Sequence, residues 1–273
     1  MLSSNILSSP WVIQQNDFFF GTNFEYETFN KLTNVNREKV AINSKRINLY
    51  RASIFGVYGA LEGFNLAFSV PLDSYQGSKN ARHELTGIGD VALEGKYQLL
   101  YEEREMPFSL ALSSSIKVPV ARFDPNELAA PGDRTIDGDL RLHLGRYLTF
   151  GDTSAYWSLE VGYNLRLDGL SDSVLALLEL GVNVTDSLSF ALITEGLYGL
   201  GGLQIGSAEY VSIVSDTGFQ PFDKIGPSYL KLGFSLSFQA TATVVIGSVL
   251  STTAVAKSAT ISHHINLYVG TQL

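Results

Sequence analysis

Cysteine is absent from these 273 residues, which excludes disulfides and thiolate metal sites. Charge is scarce as well: 17% of residues are charged, against about 25% in typical soluble domains. What charge there is leaves a net −8, so the chain lacks the basic surface that phosphate binding requires and no nucleic-acid partner is expected. The carboxylates are dispersed rather than run together, which removes an acidic tail. Also missing is any uninterrupted apolar run of roughly 18 to 20 residues, the length of a spanning helix, because glycine or a charge cuts every candidate. No linker composition divides the chain, which reads as one domain over residues 1–273. Met1-Leu2-Ser3-Ser4-Asn5 has neither the basic start nor the apolar core of a secretory signal, and the expectation is a mature chain whose signal peptide has been removed.

What the chain has instead is alternation. From Trp157 to Leu167 every odd position is large and apolar or aromatic, and every even one is small, polar or charged. Side chains alternate across a strand, so this is a strand with one apolar and one wet face. The pattern recurs about a dozen times with nothing helical between the copies. Expected strands run over Asp17–Thr28, Ile47–Gly59, Phe64–Val70, Asp90–Leu99, Phe108–Val118, Asp139–Leu148, Trp157–Leu167, Val174–Val184, Leu188–Tyr198, Tyr229–Gln239, Thr243–Ser251 and Ile261–Leu273. The eleventh, apolar on both faces, has the least alternation.

In most copies the wet face carries a full charge. A soluble sandwich packs its apolar face inward, whereas charges face the inside of a closed sheet only where that inside is polar. The inverted arrangement is that of an all-β, antiparallel, up-and-down transmembrane barrel of about 12 strands. Long connections, among them 199–228, alternate with short ones, and those near Asp168 and after Ser251 are modest members of the long set. Short periplasmic turns and longer extracellular loops show this asymmetry, which places both termini, and the segment 1–16, on the periplasmic side. The expected setting is a Gram-negative outer membrane.

Several landmarks resemble one family. Trp11 precedes Asp17-Phe18-Phe19-Phe20-Gly21; Ser69-Val70-Pro71 ends the third strand; Thr86-Gly87-Ile88-Gly89-Asp90 leads to Lys96-Tyr97; and Lys117-Val118-Pro119 closes the fifth. Together they resemble the outer-membrane family named for the meta-pathway of phenol degradation. The chain departs from its pattern at Val120-Ala121, where threonine and glycine are usual. The resemblance implies an outer-membrane barrel and, more loosely, passage of small hydrophobic or aromatic compounds.

The candidate lumen-lining residues are Glu25, Arg51, Asp90, Glu94, Lys96, Lys117, Asp139, Arg141, His143, Glu160, Arg166, Glu179, Glu195 and Lys231. Rings of charge set selectivity in a pore. With Glu27 added, acidic and basic positions nearly balance, which suits a weakly selective path or a plug of ion pairs. Leu175, Leu177, Ile193 and Leu197 are apolar on the same wet face. They form either a patch for a hydrophobic solute or a seat for an inserted loop or the N-terminal segment, and the loop 199–228 is apolar enough to fold inward.

Gly87 and Gly89 feed a strand rather than a helix, so no phosphate cradle is expected there. His83 falls in a long connection, His143 on the wet face, and His263 and His264 on opposite faces of one strand, which precludes their chelating one metal. No cofactor, metal site or enzymatic activity is expected. The reading is a monomeric channel or transporter for passive uptake of small molecules, with the bilayer and a small solute as partners. Alternatives are a filled barrel with a structural or surface-interaction role and, third, an outer-membrane lipid hydrolase.

Overall fold

The computed structural model describes residues 9–41, 46–77, 85–102, 106–120, 136–151, 153–167, 171–217 and 226–273. Its elements in chain order are β1 (Phe18–Thr33), β2 (Lys39–Ala41), β3 (Ile47–Leu61), β4 (Phe64–Gly77), β5 (Leu85–Ile88), β6 (Asp90–Leu100), β7 (Ser109–Pro119), β8 (Asp137–Phe150), β9 (Thr153–Arg166), β10 (Ser173–Asn183), β11 (Leu188–Gly199), α1 (Ala208–Thr217), β12 (Ser228–Gln239), β13 (Val244–Lys257) and β14 (Thr260–Gln272).

Each long strand pairs antiparallel with the next, and β14 returns to β1, from Phe19↔Gln272 to Leu32↔Thr260. The sheet is therefore a closed barrel of twelve long strands with two short additions, β2 against β1 and β5 against β4. Closure leaves no edge, which is how a sheet satisfies its backbone inside a bilayer. The outer face carries exposed Leu93, Leu112, Leu140, Leu142, Val161, Leu180, Leu192, Phe234 and Leu267. Exposed aromatics flank this band: Tyr97, Phe150 and Phe238 near the short turns, Tyr163 and Tyr198 near the other end. So large an apolar belt is a lipid-facing surface.

Where the strands differ from the sequence reading, the cause is local. β13 runs to Lys257, well past Ser251, because Thr252–Ala256 continue with β-branched and small residues, and a bulge at Leu230/Lys231 keeps β12 and β13 in register. The connection after β13 therefore shrinks to a tight turn in which Ser258 takes a φ of 51°, and it leaves the long set. β4 passes through Pro71 to Gly77, beyond the expected stop at Val70: the Pro71 carbonyl still accepts the Gly89 N–H at 2.9 Å, and β5 takes over the pairing. α1 corrects the expectation that nothing helical intervenes.

Aromatic rings on the inner wall lie flat over glycines of the neighbouring strand. A Cβ on Gly181 would stand 2.1 Å from the Tyr156 ring, and Gly247 lies equally close under Tyr268. In both cases ring and glycine are direct register partners. Gly63, at φ +74°, turns β3 into β4.

The segment before β1 runs along the inside of the wall. Ile13 is buried against Phe19 and Val57, Pro10 packs over Gly145, and the Lys96 ammonium donates to the Ser9 carbonyl at 3.0 Å. At the other end Leu203 and Ile205, in the described part of the β11–β12 connection, are buried. The Val35 N–H donates to the Ile205 carbonyl at 2.8 Å, and the Ile205 N–H to the Ser258 hydroxyl at 3.0 Å.

Candidate functional site

Period-two alternation puts the odd positions of β1, β3, β4, β7, β8, β10, β11 and β12 and the even positions of β6 and β9 on the inner face, and register then sets charges from neighbouring strands side by side. Glu25, Arg51 and Asp73 are direct partners on β1, β3 and β4. Arg51 donates from Nε to Asp73 Oδ1 at 2.7 Å and from Nη2 to Oδ2 at 2.9 Å, a bidentate fork, and its Nη1 lies 3.4 Å from Glu25 Oε2. The Asn266 amide donates to Glu25 at 3.4 Å, and His264 Nε2 lies 3.7 Å from it.

A second row runs Lys117–Asp137–Arg166 across β7, β8 and β9. The Lys117 ammonium is 2.7 Å from Asp137 and 3.4 Å from Asp90, and Arg166 Nε is 3.5 Å from Asp137. Next along the wall, Asp139 accepts from Ser115, Arg141 and Asn164 at 2.9, 2.9 and 2.8 Å. Arg141 reaches Glu160 at 2.9 Å. His143 is buried between Ser113, 2.9 Å from its Nε2, and Glu160, 3.4 Å from its Nδ1. Lys96 lies 3.9 Å from Glu94.

Ser113, His143 and Glu160 stand in the order of a nucleophile, base and orienting carboxylate, but all three are buried in the wall.

The quarter of the wall made by β10 to β12 is different. Glu179 accepts the Tyr156 hydroxyl, and Glu195 accepts that of Tyr229 at 2.7 Å while facing Lys231 in register. Leu175 pairs with Leu197, Leu177 with Glu195 and Ile193 with Glu179, so each carboxylate stands beside an aliphatic side chain of the neighbouring strand and an all-leucine pair follows. All fourteen candidate residues therefore lie on the face opposite the exposed apolar belt.

Alternation alone missed Asp73 and Asp137, the buried carboxylates at the centre of two rows. The same parity that assigned Arg51 and Asp139 carries to both once β4 and β8 are extended by a few residues. His83 lies outside the described residues. His264 faces Glu25, whereas His263 faces Thr252 on the outer side, at 2.9 Å.

At the short-turn end the inner wall opens on a cavity of about 740 Å³ lined by residues 11–15 with Glu62, Gln98, Tyr101, Ser109 and Tyr147. Trp11 also lines it, its ring 4.3 Å from that of Tyr147 and 6.0 Å from that of Tyr156. Beyond the strands, Asp172 accepts from the Tyr163 hydroxyl and, at 3.0 Å, from the Arg166 backbone N–H. These bonds hold its carboxyl below the usual carboxylate range.

Compared with known proteins, residues 14–246 match the family described as "Putative MetA-pathway of phenol degradation". Among solved structures, an outer-membrane channel from Pseudomonas putida F1 superposes with a TM-score of 0.74 over 96% of this chain and 97% of its own, at 14% identity. The NanC porin superposes at 0.51 over 93% and 100%, at 8% identity. No curated protein matches the chain. At such identities the likeness is one of fold, and the fold is that of the outer-membrane β-barrel.

Proposed function

This chain belongs to the MetA-pathway phenol-degradation family, and from that premise and its inner wall we propose that it is a monomeric outer-membrane channel for the passive uptake of small molecules. The observation that carries this reading is the direction of the ion pairs. Among the described residues, those of the inner wall join a strand to itself or to its neighbour. A barrel filled by its own side chains would pair charges across the lumen. Pairs that run along the wall leave the centre to a solute or a removable segment.

One observation favours the second reading, a filled and silent barrel: the segment around Trp11 occupies the inner wall at one end. The two readings separate in planar bilayers. The channel reading expects unitary steps whose size changes in Arg141→Gln and Glu94→Gln; a folded barrel that is silent at every voltage overturns it.

A further inference from the structure

We infer that the solutes this barrel favours are small organic anions with an apolar body, aromatic or aliphatic monocarboxylates. The inference rests on the channel reading and names the chemistry of its solute. A chain of net charge −8 points the other way at first sight, toward cations.

What a solute meets is the exposed part of the wall, and there the two signs are unequally placed. The Arg51 side chain is 32% exposed and its partner Asp73 0%. Lys117 is 28% exposed and Asp137 2%. Arg141 is 27% exposed and Glu160 3%. Across β3 to β9 the carboxylates sit against the backbone while the cations stand over them, open to the lumen. Lys96 is the exception: its ammonium is buried and its neighbour Glu94 is the more open of the two.

Stem length accounts for the asymmetry. Arginine and lysine carry their charge at the end of a long apolar chain and extend past a carboxylate that stays close to its own strand. Arg51 and Arg141 each already meet two carboxylates, Asp73 with Glu25 and Asp139 with Glu160, and it is the exposed part of each cation that a passing carboxylate meets without leaving those partners bare.

The apolar part of the wall, on β10 and β11, is placed to take the rest of such a solute. In the ring of twelve, β10 lies six strands from β3, so Leu175 and Leu177 face the Arg51 side of the barrel. The carboxylates beside them, Glu179 and Glu195, accept tyrosine hydroxyls, which lowers the charge they show to the lumen.

The full chain reconstituted in liposomes and planar bilayers tests this with benzoate, benzyl alcohol and benzylammonium, three solutes that share a ring and differ in charge. The expected order of flux is benzoate first, with a reversal potential in a potassium chloride gradient that favours chloride several-fold. Arg51→Gln and Lys117→Gln, with folding checked by heat-modifiable gel mobility, should bring that ratio toward one, and Arg51→Lys should restore it. Benzylammonium flux equal to or above that of benzoate, or a potassium-favouring potential in the unaltered chain, overturns the inference and leaves the channel reading intact. The absence of any flux or conductance overturns the channel reading and the inference with it.

Discussion

Asp73 has no exposed surface and holds the Nε–Nη2 edge of the Arg51 guanidinium, Glu25 meeting its Nη1. Replacing it by Asn leaves a fork with half its charge compensation. The expected cost is roughly 1–3 kcal/mol, below that of a fully enclosed pair because Arg51 is partly open to water. Urea unfolding in vesicles measures it. Gly181 has a different constraint. Any Cβ there meets the Tyr156 ring, so Gly181→Ala should destabilise by about 1–3 kcal/mol, and Tyr156→Ala in the same chain should recover part of the loss. A coupling near zero in that cycle would separate ring from glycine. At this scale the wet face was legible because period two is a steric property of the extended chain and does not depend on neighbours. The partners were not: which carboxylate Arg51 meets depends on register, which is fixed between strands remote in sequence.

Among the elements, the segment around Trp11 has no period and therefore no pattern from which its place is read. Composition leaves it one of two candidates for the lumen, and the structure puts it along the inner wall, with Lys96 holding the Ser9 carbonyl. Trp11→Ala removes the ring that lies on Tyr147 and Tyr156 and should widen the short-turn end, raising unitary conductance without changing barrel stability by more than about 1–2 kcal/mol. Single-channel recording beside a melting curve checks both halves. The β11–β12 connection hangs on Ser258, whose hydroxyl accepts the Ile205 N–H and donates to Gln204 at 3.1 Å. Ser258→Ala should loosen that connection and speed its cleavage by added protease between residues 199 and 217, with the barrel strands uncut. The strand β13 shows the limit of pattern reading at this scale. Residues apolar on both faces lose the alternation that marks a boundary, and the end was then set by pairing with β12.

For the whole molecule the inversion of inside and outside is the governing fact. Leu142 lies in the middle of β8 on the lipid face, and Leu142→Arg should cost about 2–4 kcal/mol in vesicles, whereas Arg141→Gln next to it should act on conductance. A soluble barrel would tolerate the first. Architecture was the most legible level, since twelve amphipathic strands with charge on the wet face have few ways to satisfy their backbone in lipid. The contents of the lumen were the least, because inserted segments follow surface shape rather than sequence period.

The seam between β1 and β14 sets an order in time. The Gln272 amide donates to Asp17 at 2.7 Å across 255 positions of sequence, and the ladder above it joins the first and last strands residue by residue. None of those bonds forms until the last strand has arrived, so the cylinder is completed last and slowly. A nascent or truncated chain lacking β14 carries two raw edges instead of none, each able to capture a strand from another molecule. Sealing is thus the step at which this protein passes from an aggregation-prone ribbon to an object with no free margin.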